Sequence, residues 1–291
     1  MTGFEALEYD ALNVTTQTFR VYCRLDISNE EFFDLVRDSY LCEPLVPIHH
    51  RKNMQIVDKN ADLPDGSVLY AEHGERYCGC TQLRKRRPLS AVTTRKSLTL
   101  ILKYGTRFFN VKISNKGNFH ITGCKNETQV VELSKTIRNM VHKTACNSMY
   151  IFPVMCNATF SLGFKIHKHR LTDIVNQRTS HVSLIEHGQG HVGLSIKIKE
   201  CVEELPSIPI VRLAIEEGEW RITRVPYKQY LDVLAAREVH KKMLKGSPST
   251  FLVFYSGKCI MSGGISYANR VHAFNEFKRI ILTYKDEIQS Q

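Results

Sequence analysis

Runs of alternating apolar and polar residues recur along the first half of the chain and predict short β-strands. The predicted strands are "TFRVYCRL" (18–25), "SVLYA" (67–71), "SLTLILKY" (97–104), "RFFNVKIS" (107–114) and "FHITGC" (119–124). Two helices interrupt them. Ser28 followed by Glu31 is a capping-box signature for a short helix. Asn126, with Gln129 at the capping-box position, begins a longer helix that extends to about residue 143.

The second half of the chain repeats this order. A strand is predicted at 149–164, a short helix in "KHRLTDIVNQ", and a closing helix at 267–285. The strands between the two helices are "HVSLIEHG", "HVGLSIKIK", "TFLVFYSGK" and "CIMSGG". The order strand, helix, strands, helix occurs twice, which predicts a duplicated unit with internal pseudo-twofold symmetry.

Two segments complicate the repeated order, and the second of them has no counterpart in the first half. Residues 43–95 contain four prolines and the basic run Arg84-Lys85-Arg86-Arg87, which is either a loop near phosphate, a nuclear-import patch or a solvated loop. Residues 200–249 predict a β-hairpin and then an amphipathic helix that ends at Gly246. The second segment is either a packing accessory or a docking surface for another protein.

The predicted organisation is a tail followed by two repeats with insertions. Its bounds are 1–16 for the N-terminal tail, 17–146 for the first repeat with a basic insertion at about 43–95, and 147–291 for the second repeat with an insertion at about 200–249. The acidic N-terminus carries no secretory leader, and we expect it to be a short, loosely ordered tail.

Charge favours a polyanionic partner. The 291 residues include 40 Lys and Arg against 29 Asp and Glu, which gives a formal net charge of +11 at pH 7. Such an excess is most simply explained by nucleic-acid binding. A generally basic soluble protein is the alternative.

The nine cysteines indicate a reducing compartment rather than a disulfide framework, because their number is odd and several lie inside apolar strands. Cys78 and Cys80, with Cys42 and the His49-His50 pair upstream, match the spacing of a zinc site poorly. We therefore predict no metal ligands and no cofactor. No apolar run approaches the roughly 20 residues that a membrane-spanning helix needs.

The stretches "GNFHITGCKNETQVVELSKTIRNMV" and "LVFYSGKCIMSGGISYANRVHAFNEFKRI" resemble the ends of the two halves of the TATA-box-binding protein core. Repeats of that family end in a strand "F-x-S-G-K", a strand "x-V-x-T-G-[AC]-K" and a long helix. The resemblance covers about 100–143 and 250–285 and is diffuse elsewhere. The two insertions suggest a divergent relative, as in large cytoplasmic DNA viruses.

The resemblance implies an α+β fold: a pseudo-twofold duplicated repeat that forms one continuous, curved antiparallel sheet, a saddle, with helices on its convex face. Its concave face would lie in the minor groove of double-stranded A·T-rich DNA. It further implies a transcription initiation factor without catalytic activity. Its partners would be general transcription factors and RNA polymerase subunits. Such a protein would be a monomer in the nucleus, in a cytoplasmic viral factory or packaged in the virion.

Strand alternation places His120 and Thr122 on one face and matches them with Ile260 and Ser262. The resemblance implies that these residues face DNA, together with Leu194, Leu252 and the amide of Asn157. An ordinary amphipathic hairpin, with a strand-edge amide at Asn157, is the alternative. Phosphate contacts are expected from four lysines at or near strand ends. They are Lys103, Lys125, Lys197 and Lys258.

An apolar wedge that unstacks a base step is expected at Phe254, which falls on a wedge position of the family. The corresponding family positions elsewhere fall at Ser114 and near Ser97 and His191, so Phe108, Phe109 or His191 would have to serve. Because most wedges are missing, the alternative function is a duplicated saddle that has lost DNA binding and acts as a protein-interaction scaffold in the transcription machinery. An enzyme is disfavoured, since no Asp/Glu/His cluster has metal spacing.

Overall fold

The computed structural model describes residues 3–45, 60, 62–83, 97–141, 147–186, 193–199, 205–236, 238–239 and 248–290. The basic run 84–87, the His49-His50 pair and His191 lie outside these ranges. The described strands are β1 (Asn13–Tyr22), β2 (Val68–His73), β3 (Arg76–Gly79), β4 (Leu98–Tyr104), β5 (Arg107–Ile113), β6 (Phe119–Cys124), β7 (Ser148–Ser161), β8 (Val182–Glu186), β9 (Gly193–Ile198), β10 (Pro209–Glu216), β11 (Glu219–Pro226), β12 (Ser249–Val253) and β13 (Lys258–Gly263). The helices are α1 (Asn29–Ser39), α2 (Glu127–Met140), α3 (Lys168–Arg178), α4 (Tyr227–Asp232), α5 (Tyr267–Thr283) and α6 (Lys285–Ile288).

The strands are hydrogen-bonded in the order β3-β2-β4-β5-β6-β1-β7-β13-β12-β9-β8, with β10 beside β7 and β11 beside β10. The chain divides into two compact units. The N-terminal unit comprises Thr18–Phe152 and Ile210–Val225, and the C-terminal unit comprises Met1–Gln17, Pro153–Pro209 and Pro226–Gln291. The strands β1 and β7 are each divided between the two units.

The N-terminal unit packs α1 and α2 on one face of the strands β2, β4, β5 and β6. Its core buries Phe32 of α1, Phe119 of β6 and Ile137 of α2, each with no exposed surface. The predicted capping box holds, because the Ser28 side chain accepts from the Glu31 amide and the Glu31 carboxylate accepts from the Ser28 amide. Asn126 caps α2 by accepting from the Gln129 amide at 3.1 Å.

The C-terminal unit repeats this arrangement with α3 and α5 on the strands β8, β9, β12, β13 and the second part of β7. Phe251 of β12 stacks on Phe277 of α5, with ring centroids 4.2 Å apart and planes within 2°. Ser266 caps α5 by accepting from the Asn269 amide. Both units thus bury one sheet face under two helices.

The order of elements and the order of pairing agree between the two units. Leaving aside β3, which pairs outside β2, and the insertion that contains β10, β11 and α4, each unit has a strand, a helix, four more strands and a second helix. The five strands of each unit pair in the order second, third, fourth, fifth and first. The turn at Gly117 and the turn at Gly257 match in detail: the glycine amide donates to Ser114 O in one and to Phe254 O in the other, at 2.9 Å in both. The α+β class, the antiparallel sheet and the duplication are confirmed.

The expectation of a loosely ordered N-terminal tail is wrong. Phe4, Tyr9 and Leu12 are buried in the core of the C-terminal unit, and β1 begins at Asn13 rather than at 18. The Arg270 Nε–H donates to the Tyr9 hydroxyl at 2.8 Å, and Lys278 Nζ donates to Leu7 O at 2.9 Å. The segment carries enough apolar side chains to pack on α5, and cations of that region balance its acidic residues.

The described part of the first insertion covers the sheet face opposite the helices in the N-terminal unit. Leu63 and Leu83 cluster with Tyr70, Ile101 and Phe108. Strand alternation places Ile101 and Phe108 opposite Leu100 and Phe109, which belong to the helix-side core. This patch of the sheet is therefore buried on both of its faces.

The second insertion forms the predicted hairpin. The strand β10 pairs with residues 148–151 of β7, and Trp220 of β11 packs against the core of the N-terminal unit. Glu217 and Gly218 have φ values of 55° and 84°, which suit a two-residue hairpin turn. Only α4 and a few residues up to 239 of the predicted amphipathic helix lie within the described ranges.

The outer edge of β8 is closed by a side chain. The Asn176 Nδ2 group donates to Ser183 O at 3.0 Å, and the Ser183 amide donates to Asn176 Oδ1 at 2.8 Å. One amide from α3 thereby takes the place that a neighbouring strand would have. This arrangement protects the edge from pairing with another strand.

None of the described helices combines the length and the apolar character needed to cross a membrane.

Candidate nucleic-acid interface

In each unit, one sheet face carries the helices, and the opposite face is called here the open face. Directly paired residues of antiparallel strands lie side by side on one face. Two rows of paired residues therefore run across the open face of each unit, and we call them the first and the second ladder. In the C-terminal unit the first ladder is Val182, Lys197, Thr250, Ser262 and Asn157, and the second is Leu184, Ser195, Leu252, Ile260 and Thr159.

The matching ladders of the N-terminal unit follow from the same registers. The first ladder is Tyr70, Ile101, Asn110, Thr122 and Thr18, and the second is Glu72, Thr99, Lys112, His120 and Arg20. The last step of each ladder, between β6 and β1, is marked by the hydrogen bonds of Thr18 with Thr122 and of Arg20 with His120. Each ladder position of one unit thus has a corresponding position in the other.

The first ladders end in matched polar pairs. In the N-terminal unit the Thr18 hydroxyl donates to the Thr122 hydroxyl at 3.4 Å. In the C-terminal unit the Ser262 hydroxyl donates to Asn157 Oδ1 at 2.7 Å, which leaves the Asn157 Nδ2 group to donate elsewhere. Hydroxyl and amide donors of this kind suit the acceptor atoms that an A·T base pair exposes in the minor groove.

Most of the predicted base-contacting residues lie on the open faces. His120 and Thr122 are partly or fully exposed between the buried Phe119 and Ile121, and Ile260 and Ser262 alternate in the same way with Cys259 and Met261. Leu252 and Asn157 lie on the ladders of the C-terminal unit. That these residues contact DNA stays a prediction.

The placement of Leu194 on the open face is wrong. Leu194 has no exposed surface and packs in the helix-side core. It pairs with Val253, another core residue, whereas its neighbour Ser195 pairs with Leu252 on the open face. The parity of β9 therefore differs by one residue from the expected one.

Phe254 is half-buried and follows β12 directly, so alternation from Leu252 places it on the open-face side. Its counterpart in the N-terminal unit is Ser114, as the matching turns show. The two substitute wedges are wrong. Phe109 is fully buried under the helices, and Phe108 is buried in the cluster that covers the N-terminal open face.

Three of the four predicted phosphate-binding lysines, Lys125, Lys197 and Lys258, are exposed. Lys103 is the exception and is wrong. It is only 5% exposed, and its Nζ lies 2.7 Å from Asp65 Oδ1. The first insertion supplies that carboxylate, so the charge of Lys103 is neutralised inside the protein.

The sequence prediction missed Arg20 and Lys112, which lie on the second ladder of the N-terminal unit. The Arg20 Nε–H donates to His120 Nε2 at 2.9 Å, and Lys112 pairs with His120 across the strands. The signal was present, because strand alternation within "TFRVYCRL" and "RFFNVKIS" places Arg20 and Lys112 on the faces opposite most of the apolar residues of these strands.

No group of three or more His, Cys, Asp or Glu residues among the described residues could hold a metal ion. Cys78 lies in β3, and burial raises the pKa of its thiol. Burial likewise raises the pKa of the Cys124 thiol to about 12. These thiols are therefore protonated at neutral pH.

No known family model matches the chain. Over 199 residues the chain is 26% identical to the uncharacterized protein 335L of Invertebrate iridescent virus 6, a match that covers 64% of this chain and 59% of that protein. The chain thus spans less than two thirds of the length of this viral relative. Among solved structures it aligns with the Methanococcus jannaschii TBP at a TM-score of 0.43 and 15% identity, over 94% of this chain and 98% of that one.

Proposed function

We propose that the chain is a TATA-binding-like transcription initiation factor. It binds A·T-rich promoter DNA through the minor groove with its open faces and recruits other transcription factors and RNA polymerase. The sequence resemblance of the two matching hairpin and helix stretches supports the proposal, as does the duplicated antiparallel fold.

The observation that carries the proposal is the matched placement of the pairs Thr18–Thr122 and Asn157–Ser262. Both pairs lie on open faces, at corresponding ladder positions, and both consist of uncharged donors and acceptors. Uncharged polar groups can approach base edges without placing a buried charge against them, whereas phosphates attract cations at the flanks. The exposed Lys197 and Lys258 supply such flanking cations in the C-terminal unit.

The decisive experiment is equilibrium binding of the full chain to fluorescent A·T-rich and G·C-rich duplexes at increasing salt. We expect tighter binding to the A·T-rich duplex and a steep loss of affinity with salt. Asn157→Ala and Thr122→Ala should each weaken binding about 5- to 150-fold, which corresponds to roughly 1–3 kcal/mol for a lost base contact.

A matched control is Thr172→Ala, which removes a hydroxyl from α3 on the helix side, where Thr172 donates to Lys168 O. It should bind like the parent. Equal affinity for the two duplexes, together with parent-like binding of Asn157→Ala and Thr122→Ala, would show that the open faces do not read base edges.

A protein-interaction scaffold is the second candidate, and one observation favours it. Tyr70 and Ile101, two of the five positions of the first ladder in the N-terminal unit, are covered by the cluster around Leu63 and Leu83. That part of the ladder is closed to a duplex. A complete lack of DNA binding at low salt would favour the scaffold.

A further inference from the structure

The second ladders of the two units carry contrasting chemistry at corresponding positions. In the C-terminal unit the ladder is uncharged and largely apolar, with Leu184, Leu252 and Ile260. In the N-terminal unit the same positions hold Glu72, Lys112 and His120, and Arg20 takes the position of Thr159. A symmetric ligand would therefore meet two different surfaces.

The apolar ladder of the C-terminal unit is accessible. Leu184 is 56% exposed and its neighbour on β8, Val182, is 48% exposed, while Leu252 and Ile260 are half-buried. Contiguous exposed apolar side chains on a monomer commonly mark a binding surface. The Asn176 side chain hydrogen-bonds the backbone N–H and C=O groups of Ser183 at the edge of this sheet. A partner would therefore contact the side chains of the open face rather than add a strand at this edge.

Charge indicates which partner fits this surface. The exposed Lys197 and Lys258 lie on the same face as the apolar side chains. The two ladders of the C-terminal unit hold one cation, Lys197, and no carboxylate, while Lys258 and Glu186 lie in the next row of the same face. An apolar centre with cations beside it suits the sugars and base edges of a duplex whose phosphates pass at the flanks.

The N-terminal unit offers the opposite arrangement. Its apolar open-face residues Tyr70 and Ile101 are covered, and its uncovered positions include the cationic Arg20 and Lys112. Its one carboxylate on these ladders, Glu72, accepts from the Tyr70 hydroxyl at 2.8 Å and lies at the covered side. Lys112 is exposed and Arg20 is half-buried, so a backbone phosphate could approach both side chains.

On the basis of the proposed function, we propose that the two units bind different parts of one A·T-rich duplex. The apolar ladder of the C-terminal unit packs on base edges and unstacks a base step. The N-terminal unit holds the sugar–phosphate backbone through Arg20 and Lys112 without unstacking. The DNA is thus deformed at one end of the site only, and an asymmetric site is bound in a single orientation.

The test uses A·T-rich duplexes with 2-aminopurine, a base whose fluorescence rises when it is unstacked, placed at one end of the bound site or at the other. We expect the full chain to raise the fluorescence at one end only. Leu252→Lys should abolish that rise while DNA is still bound at low salt, because a charged side chain cannot replace an apolar wedge against bases.

The corresponding exchange in the other unit is Lys112→Leu. It should keep the fluorescence rise and reduce the slope of log affinity against log salt by about one, the value for one lost phosphate contact. Lys228→Leu, an exposed lysine of α4 that belongs to neither ladder, should leave both readouts unchanged. Thermal unfolding of each variant checks that the fold is retained.

The outcomes separate this inference from the proposed function. Equal fluorescence rises at both ends, or a rise that survives Leu252→Lys, would overturn the inference and leave minor-groove binding intact. In the second case the apolar ladder would belong to another partner, such as a protein. If no duplex is bound even at low salt, both the inference and the proposed function fail.

Discussion

The two units share their strand order and their turns, but they differ in what fills each corresponding position. On the helix side, Phe119 of the N-terminal unit corresponds to Cys259 of the C-terminal unit, and both are buried. On the open face, Lys112 corresponds to Leu252. Backbone pairing and turn geometry therefore define the repeat, while core volume and surface chemistry vary between its two copies.

Each unit is also completed by a segment from elsewhere in the chain. The hairpin β10–β11, which follows most of the C-terminal unit in sequence, belongs to the N-terminal unit through its pairing with β7. The first seventeen residues belong to the C-terminal unit, where Phe4 stacks beside Phe160 with ring centroids 6.0 Å apart. A cut of the chain at the end of the first repeat would therefore deprive both units of core residues.

The largest expected effect tests the difference in side-chain volume between corresponding core positions of the two units. Phe119→Ala should lower the free energy of unfolding by about 3–5 kcal/mol, because it removes a fully buried ring. Cys259→Ala, at the corresponding position, should cost only about 1 kcal/mol, since it removes a group the size of one methylene. Urea denaturation of the full chain measures both. Similar costs would mean that the two positions carry equal shares of their cores.

The next effect tests the shared turns. Gly117 and Gly257 have φ values of 68° and 77°, and a Cβ at either would collide with backbone atoms, those of Leu25 and of Phe164 respectively. Gly117→Ala and Gly257→Ala should each destabilise the fold by about 2–4 kcal/mol through strain and displaced backbone.

The control for these two variants is Gly163→Ala, whose φ is 82° but whose Cβ would meet no atom within 4 Å. It should cost only the conformational penalty of about 1–2 kcal/mol. A large cost at only one of the two turns would break the equivalence of the repeats.

A smaller effect concerns the lysine that the first insertion neutralises. Asp65→Ala should destabilise the protein by about 1–3 kcal/mol, because it leaves the buried Lys103 without its carboxylate, although Asp65 itself is half-exposed and the pair is partly screened. Lys199→Met, at the corresponding exposed position after β9, should change stability by no more than about 0.5 kcal/mol. Thermal melts compare the two, and equal shifts would contradict the burial of Lys103.

The smallest effect is a pH dependence that arises at Glu276 of the C-terminal unit. The side chains of Arg279 and His181 hydrogen-bond the Glu276 carboxylate and lower its pKa from 4.5 to about 2. A folded-state pKa below the unfolded one stabilises the protein above pH 4.5, and this contribution is lost as pH falls towards 2.

Glu276→Gln should therefore cost about 1–2 kcal/mol at neutral pH, after allowance for solvent screening, and close to nothing near the acid limit. The corresponding residue of α2, Thr136, has no titrating group, so Thr136→Ala should show no such pH dependence. Urea denaturation across the acid range checks both, and a cost of Glu276→Gln that does not shrink with falling pH would contradict this assignment.

Local patterns predicted the elements of the fold well. The Ser28–Glu31 capping box, the Asn126 cap and the strand alternation in "FHITGC" each depend on residues close in sequence, and the structure has all three. One detail differs, since the Gln129 side chain accepts from the Lys125 amide rather than from the cap residue. Distance along the chain explains the larger failures.

The burial of Phe4, Tyr9 and Leu12 could not be predicted, because their packing partners lie on β7 and α5, far along the chain. The burial of Lys103 depends on Asp65, which a proline-containing insertion brings to it. Leu194 was misplaced because a shift of one residue exchanges the two faces of a strand, and sequence alternation alone does not define the parity of β9. For the candidate site, sequence patterns gave the strands of the open faces but not which ladder positions are covered.

The two hydrogen bonds between Asn176 and Ser183 affect how the protein behaves in concentrated solution. Edge strands with vacant amides allow molecules to polymerise side by side when they are concentrated. A single carboxamide blocks that route at the middle of β8. Replacing Asn176 with leucine should turn a well-behaved solution into one that scatters light and forms fibrils at concentrations the parent tolerates.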